Sequence, residues 1–153
     1  MNEPIEATTR FRKCLVCLLL GGLAVLLCEI RFEHREVLAE RWQAYLPLVY
    51  AGMMLPVGAA SLVGWEKWGR QTLLLGFALA FVVGAMGAWF HTDGHPLRGV
   101  GRVLSAWRLR PGDNGGIKPE LSGPPAMAPF AFLGLGSIGL LACAPLRKNR
   151  RLS

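Results

Sequence analysis

CLVCLLLGGLAVLLCEI, residues 14–30, carries a single charged side chain, Glu29. No polar stripe recurs along it at helical or strand spacing. A helix on a protein surface needs one polar face, whereas a run that is apolar all round must meet apolar surroundings on every side. With Phe11 before it and Phe32 after it, the run comes to about twenty residues. At ~1.5 Å per residue that matches a hydrocarbon layer roughly 30 Å thick.

Three more runs repeat the pattern: AYLPLVYAGMMLPVGAASLVGW (Ala44–Trp65), TLLLGFALAFVVGAMGAWF (Thr72–Phe90) and AMAPFAFLGLGSIGLLACAPL (Ala126–Leu146). Together they explain why 52% of the 153 residues are hydrophobic and only 18% charged. Lipid leaves backbone groups no solvent partner, so such segments are expected to be helices. The sequence therefore predicts an all-α chain, an integral membrane four-helix antiparallel bundle with an outer interfacial amphipathic helix. It forms one domain over residues 1–153, with spans at about 12–31, 45–65, 72–91 and 126–146. No small-x-small cleavage site follows the first run, and Leu27 before Cys28 matches a lipoprotein box poorly, so that run is expected to remain as the first span.

Arg10, Arg12, Lys13, Lys67, Arg70, Arg147, Lys148, Arg150 and Arg151 fall on one side of this topology. Arg31, Arg35, Arg41, Arg98, Arg102, Arg108, Arg110 and Lys118 fall on the other. The basic counts nearly balance, and the cluster before the first span places both termini in the cytoplasm, in a membrane of bacterial inner-membrane type. Trp42, Tyr45, Trp65, Trp68 and Trp89 stand at span ends, where amphipathic rings sit at headgroup level.

Outside the spans, EIRFEHREVLAERWQA repeats Glu29, Glu33, Glu36 and Glu40 at helical spacing and is expected to prolong the first helix, or to bend along the membrane, until Pro47. The loop at 92–125 opens with a surface helix at about 97–110. There Leu97, Val100, Leu104 and Trp107 share one face while Arg98, Arg102 and Arg108 oppose them, an arrangement that lays Arg98, Arg102, Trp107 and Arg108 on the membrane surface. Gly99 and Gly101 weaken it and Pro111 ends it. The formal charge of +7 comes from membrane flanks, which points to lipid headgroups and away from nucleic acid.

Within the bilayer, close backbone approach through small residues holds helices together. Gly76, Ala80, Gly84 and Ala88 recur every four residues in the third run, Gly52, Gly58, Ala59, Ala60, Ser61 and Gly64 stand in the second, and Gly134, Gly136, Ser137 and Gly139 in the fourth. These surfaces serve the bundle itself or a second membrane protein, including another copy of the chain.

Two patterns suggest chemistry. His91, Asp93 and His95 form an H-x-D-x-H sequence where Gly94 and Pro96 end the third helix, and His34 with Glu33 is expected at the same surface. Imidazoles with carboxylates suit a transition metal, and His34 facing His91 would suit haem. The plainer reading is capping and hydration at a helix end. Cys14 and Cys17 have redox spacing, but residues 92–125 contain no cysteine to relay oxidation, and all four cysteines read as small apolar side chains. The second, third and fourth spans hold no Asp, Glu, Lys or Arg until Glu66 beyond Trp65, so ion-coupled transport lacks its usual signature. The expected function is therefore a non-catalytic accessory or scaffold subunit of a membrane complex, whose partners are the bilayer and a membrane protein or second copy. The alternative is a metal- or haem-binding membrane protein using His91, Asp93, His95, His34 and Glu33.

Overall fold

The computed structural model describes residues 3–33, 35, 37–39, 41–92, 94, 95, 97 and 128–145. Among them all regular structure is helical: α1 (Glu3–Glu33), α2 (Tyr45–Val63), α3 (Arg70–His91) and α4 (Ala128–Cys143), with short helical turns between α1 and α3. Three stretches, Glu6–Phe32, Trp42–Val63 and Trp65–His91, are long and apolar enough to cross a membrane, while Pro129–Cys143 is apolar but shorter. The surface helix expected at 97–110, and with it Arg98, Arg102, Trp107 and Arg108, lies outside the described residues.

Helix α1 differs from expectation at both ends. It begins at Glu3, well before the apolar run, and Arg10 reaches Glu6 one turn away at 3.9 Å. It then stops at Glu33, and 3₁₀ turns at Val37–Ala39 and Trp42–Ala44 replace the helical extension that the glutamate spacing predicts. Turning the chain inward here buries Leu38 and Ala44. Covering a leucine contributes about 1.5–3 kcal/mol, more than an exposed row of i,i+4 pairs supplies.

Between α2 and α3 the chain reverses within six residues. Trp65–Gly69 forms a single π-helical turn, and the carbonyl of Gly64 accepts the N–H groups of Lys67, Trp68 and Gly69 at 3.1, 3.3 and 2.9 Å. Gly69 lies directly against the backbone carbonyl of Ser61, leaving no room for a Cβ. This turn pulls Trp65 inward. Expected at a span end, it is 5% exposed and lies under Lys13, whose Nζ stands 6.0 Å from the ring centroid. Trp42, Tyr45, Trp68 and Trp89 remain exposed.

Glycines mediate most of the packing. Leu20 of α1 lies over Gly58 of α2, and Met54 of α2 over Gly76 of α3. The most intimate contact joins α3 to α4: the Phe77 ring rests on Gly139, Gly136 meets the Phe77 carbonyl and Phe81 amide, and Gly84 meets Leu133 and the Pro129 carbonyl. The small stripe of α3 is thus consumed inside the chain, with Ala80, Gly84 and Ala88 buried. Arg12 on α1 donates to the carbonyl of Ala144 just beyond α4 at 2.7 Å, and Val16, Leu73 and Cys143 are fully buried nearby in sequence on the three helices. Pro56 stands inside α2 on its exposed side, with no N–H to offer the carbonyl of Gly52.

One polar bond crosses the α2–α3 contact: the Tyr50 hydroxyl donates to the Gly76 carbonyl at 2.9 Å. Tyr50→Phe is expected to lower unfolding free energy by ~1 kcal/mol, the net worth of one such bond, measured by thermal unfolding in detergent. A change above about 3 kcal/mol would show the ring edge to matter for packing as well.

Candidate functional site

The end of α3 gathers the residues on which the metal reading depends. Thr92 caps the helix, its Oγ1 donating to the Ala88 carbonyl at 2.7 Å, and the amide of Gly94 reaches back to the Trp89 carbonyl at 3.0 Å. That closure needs the left-handed backbone that Gly94 adopts, with φ of 77°. The His95 amide then donates to the Thr92 carbonyl at 2.9 Å.

This cap points the two described histidines into different surroundings. His91, the last residue of α3, is half-buried and lines a cavity, whereas His95 is exposed beyond the turn. Asp93 and His34 lie outside the described residues, as does the side chain of Glu33, although its backbone ends α1. Among the described residues no three of His, Cys, Asp and Glu come together as a metal site.

The cavity measures about 70 Å³ and is formed where Ile30 of α1, Leu46 and Pro47 of α2, Phe90 of α3, and Pro129 and Phe132 of α4 approach one another. Tyr50 packs edge-on against Phe132, with ring centroids 5.9 Å apart. Gln43 and His91 supply the only polar side chains among its described lining residues. A space well below the roughly 150 Å³ that admits benzene accommodates water or a very small apolar solute, and not a porphyrin.

The opposite end carries residues that sequence reasoning placed on one side of the topology without showing how they approach the end of α4. Arg12, Lys13 and Arg70 are half-buried there, while Arg10, Arg31, Arg35, Arg41 and Lys67 are exposed. Arg12 holds the Ala144 carbonyl, Lys13 covers Trp65, and the charges of both Arg12 and Arg70 reach the sulfur of Cys143. Cys14, Cys17 and Cys28 face outward as free thiols, and Cys143 alone of the four is buried. Their linear separation hides the basic group: two cations stand before the first apolar run and one before the third. The only local signal was the interval of four linking Ser61, Trp65, Gly69 and Leu73, all of them buried.

Compared with known protein families, curated proteins and solved structures, the chain matches none.

Proposed function

We propose that this chain is a small multi-pass membrane protein that acts without catalysis, as an accessory or scaffold subunit holding other membrane helices. The observation that carries the reading is how little of its apolar surface the fold covers. Only 28%, 22% and 28% of the most apolar windows of its three long stretches are buried. Val63, Leu18 and Phe32 are 91%, 74% and 72% exposed, an outward surface that water would not tolerate at this extent and lipid would.

Contacts between helices support an antiparallel bundle. Residue 61 of α2 meets 69 of the π-helical turn and residue 54 meets 76 of α3, while residues 77, 81 and 84 of α3 meet 139, 136 and 133 of α4. Arg12 beside Ala144 supports both termini on one side, and the basic residues near them favour the cytoplasm. The scaffold reading draws on glycines that the fold leaves open. A Cβ at Gly21, Gly52 or Gly134 would meet nothing within 4 Å, so each offers a second helix the close backbone approach that stabilises association in lipid.

The test begins with membranes. The chain is expected to resist alkaline extraction and to need detergent, and a monodisperse preparation in plain buffer would overturn the membrane reading. Solubilised gently, it is expected to migrate as an assembly by native electrophoresis. Gly21→Leu, Gly52→Leu or Gly134→Leu should release the monomer with its Tm unchanged, because among the described residues a Cβ at those positions meets nothing within 4 Å. A wild-type protein that runs alone from its native membrane would overturn the scaffold reading.

A further inference from the structure

Half-buried cations are costly unless something negative compensates them, and in this molecule they are not scattered. Of the eight described lysine and arginine side chains, Arg12, Lys13 and Arg70 are half-buried, and all three belong to the end where α1 and α3 pass the C-terminus of α4. The compensation visible there is small. Arg12 has the Ala144 carbonyl and Lys13 the face of Trp65. A helix C-terminus is worth about half a negative charge, so among the described residues the compensation falls more than two charges short of the three cations. The nearby carboxylates do not supply the balance: Glu6 is engaged by Arg10 at 3.9 Å, and Glu66 is exposed on the π-helical turn beside Lys67. Among the described residues none of the three cations is within 4.0 Å of a carboxylate.

We propose that Arg12, Lys13 and Arg70 form a binding site for the phosphate of an anionic phospholipid headgroup, at the end of the molecule where α1, α3 and the C-terminus of α4 meet. Two arginines offer forked donors suited to phosphate oxygens, and the lysine adds a point charge. Arg12 is held by the Ala144 carbonyl and the Lys13 ammonium stands over the Trp65 ring, so two of the three donors are oriented by the fold before the lipid arrives. The apolar flanks of α1 and α3 continue from these cations, as acyl chains require. This inference rests on the membrane reading above.

The test places the full chain in nanodiscs of phosphatidylcholine alone and of equal parts phosphatidylcholine and phosphatidylglycerol, then counts lipids retained in native mass spectrometry. Phosphatidylglycerol is expected to be retained in preference, and each of Arg12→Gln, Lys13→Gln and Arg70→Gln to reduce that preference about five-fold. Lys67→Gln and Arg10→Gln remove the same charge from exposed positions at the same end and are expected to reduce it far less. Free inorganic phosphate added to the discs is expected not to displace the lipid; displacement would assign the site to a soluble anion and overturn the lipid assignment. Equal retention of both lipids, or an effect of Lys67→Gln as large as that of Arg70→Gln, would also overturn the proposal. Because Arg12→Gln removes a structural hydrogen bond as well, Lys13→Gln and Arg70→Gln decide the matter when their Tm equals that of the unaltered chain. A chain that never enters the discs is a failure of the membrane reading, seen before any lipid is counted.

Discussion

Gly69→Ala is expected to produce the largest loss of stability of any glycine-to-alanine change in the chain. The added methyl would be driven into the backbone carbonyl of Ser61, and no side chain can swing aside to receive it. The π-helical turn would have to open, losing the bonds that the Gly64 carbonyl accepts from Lys67, Trp68 and Gly69 and uncovering Trp65. Overpacking of a rigid site costs on the order of 3 kcal/mol, about 6–12 °C in Tm for a domain of this size. Gly52→Ala and Gly134→Ala are the controls, since both positions face open space within helices. Alanine favours a helix there by up to ~1 kcal/mol, so their midpoints should stay or rise. If Gly69→Ala melts with Gly52→Ala, the close approach of α2 and α3 at this turn is wrong.

The second large effect separates two kinds of tight contact between α3 and α4. Gly139→Ala would push its methyl into the ring of Phe77, and Gly136→Ala would push one toward the Phe77 carbonyl at 2.8 Å and the Phe81 amide at 3.0 Å. Each is expected to cost about 1–3 kcal/mol in thermal unfolding. Phe77→Ala removes a side chain that is 2% exposed and costs about 3–5 kcal/mol by itself. Combined with Gly139→Ala it makes room for the new methyl, so the double variant should be more stable than the sum of its parts by 1–2 kcal/mol. Combined with Gly136→Ala it should give no such relief, because that collision is with main-chain atoms. Equal coupling in the two pairs would mean that the helices simply move apart.

These contacts show what the amino-acid sequence does and does not disclose. The apolar runs at 14–30, 44–65, 72–90 and 126–146 became the cores of four helices, since a long apolar segment has few other ways to satisfy its backbone. The stripe from Gly76 to Ala88 was legible as a packing surface, and Gly94 as the end of α3. Trp65 was not. A tryptophan at the end of an apolar run reads as a boundary residue, and its burial against the rest of the chain follows only from the π-helical turn set by Gly64 and Gly69. The extent of α1 was misjudged for a related reason: spacing of glutamates reports helical phase but not where burial of Leu38 makes the chain turn. Of the candidate site, the position of His91 at a helix end could be read from Gly94 and Pro96. The convergence of Arg12, Lys13 and Arg70 could not, because residues so far apart meet only once the helices have packed.

The six-residue reversal between α2 and α3 also bears on how the protein is made. A connection this short confines its charged residues, Glu66 and Lys67, to a single turn, and the contact between Gly69 and Ser61 can form as soon as both flanks exist. On the membrane reading proposed above, the two flanks are expected to leave the ribosome and partition sideways into lipid as one preassembled unit, with the earlier and later helices docking onto it afterwards.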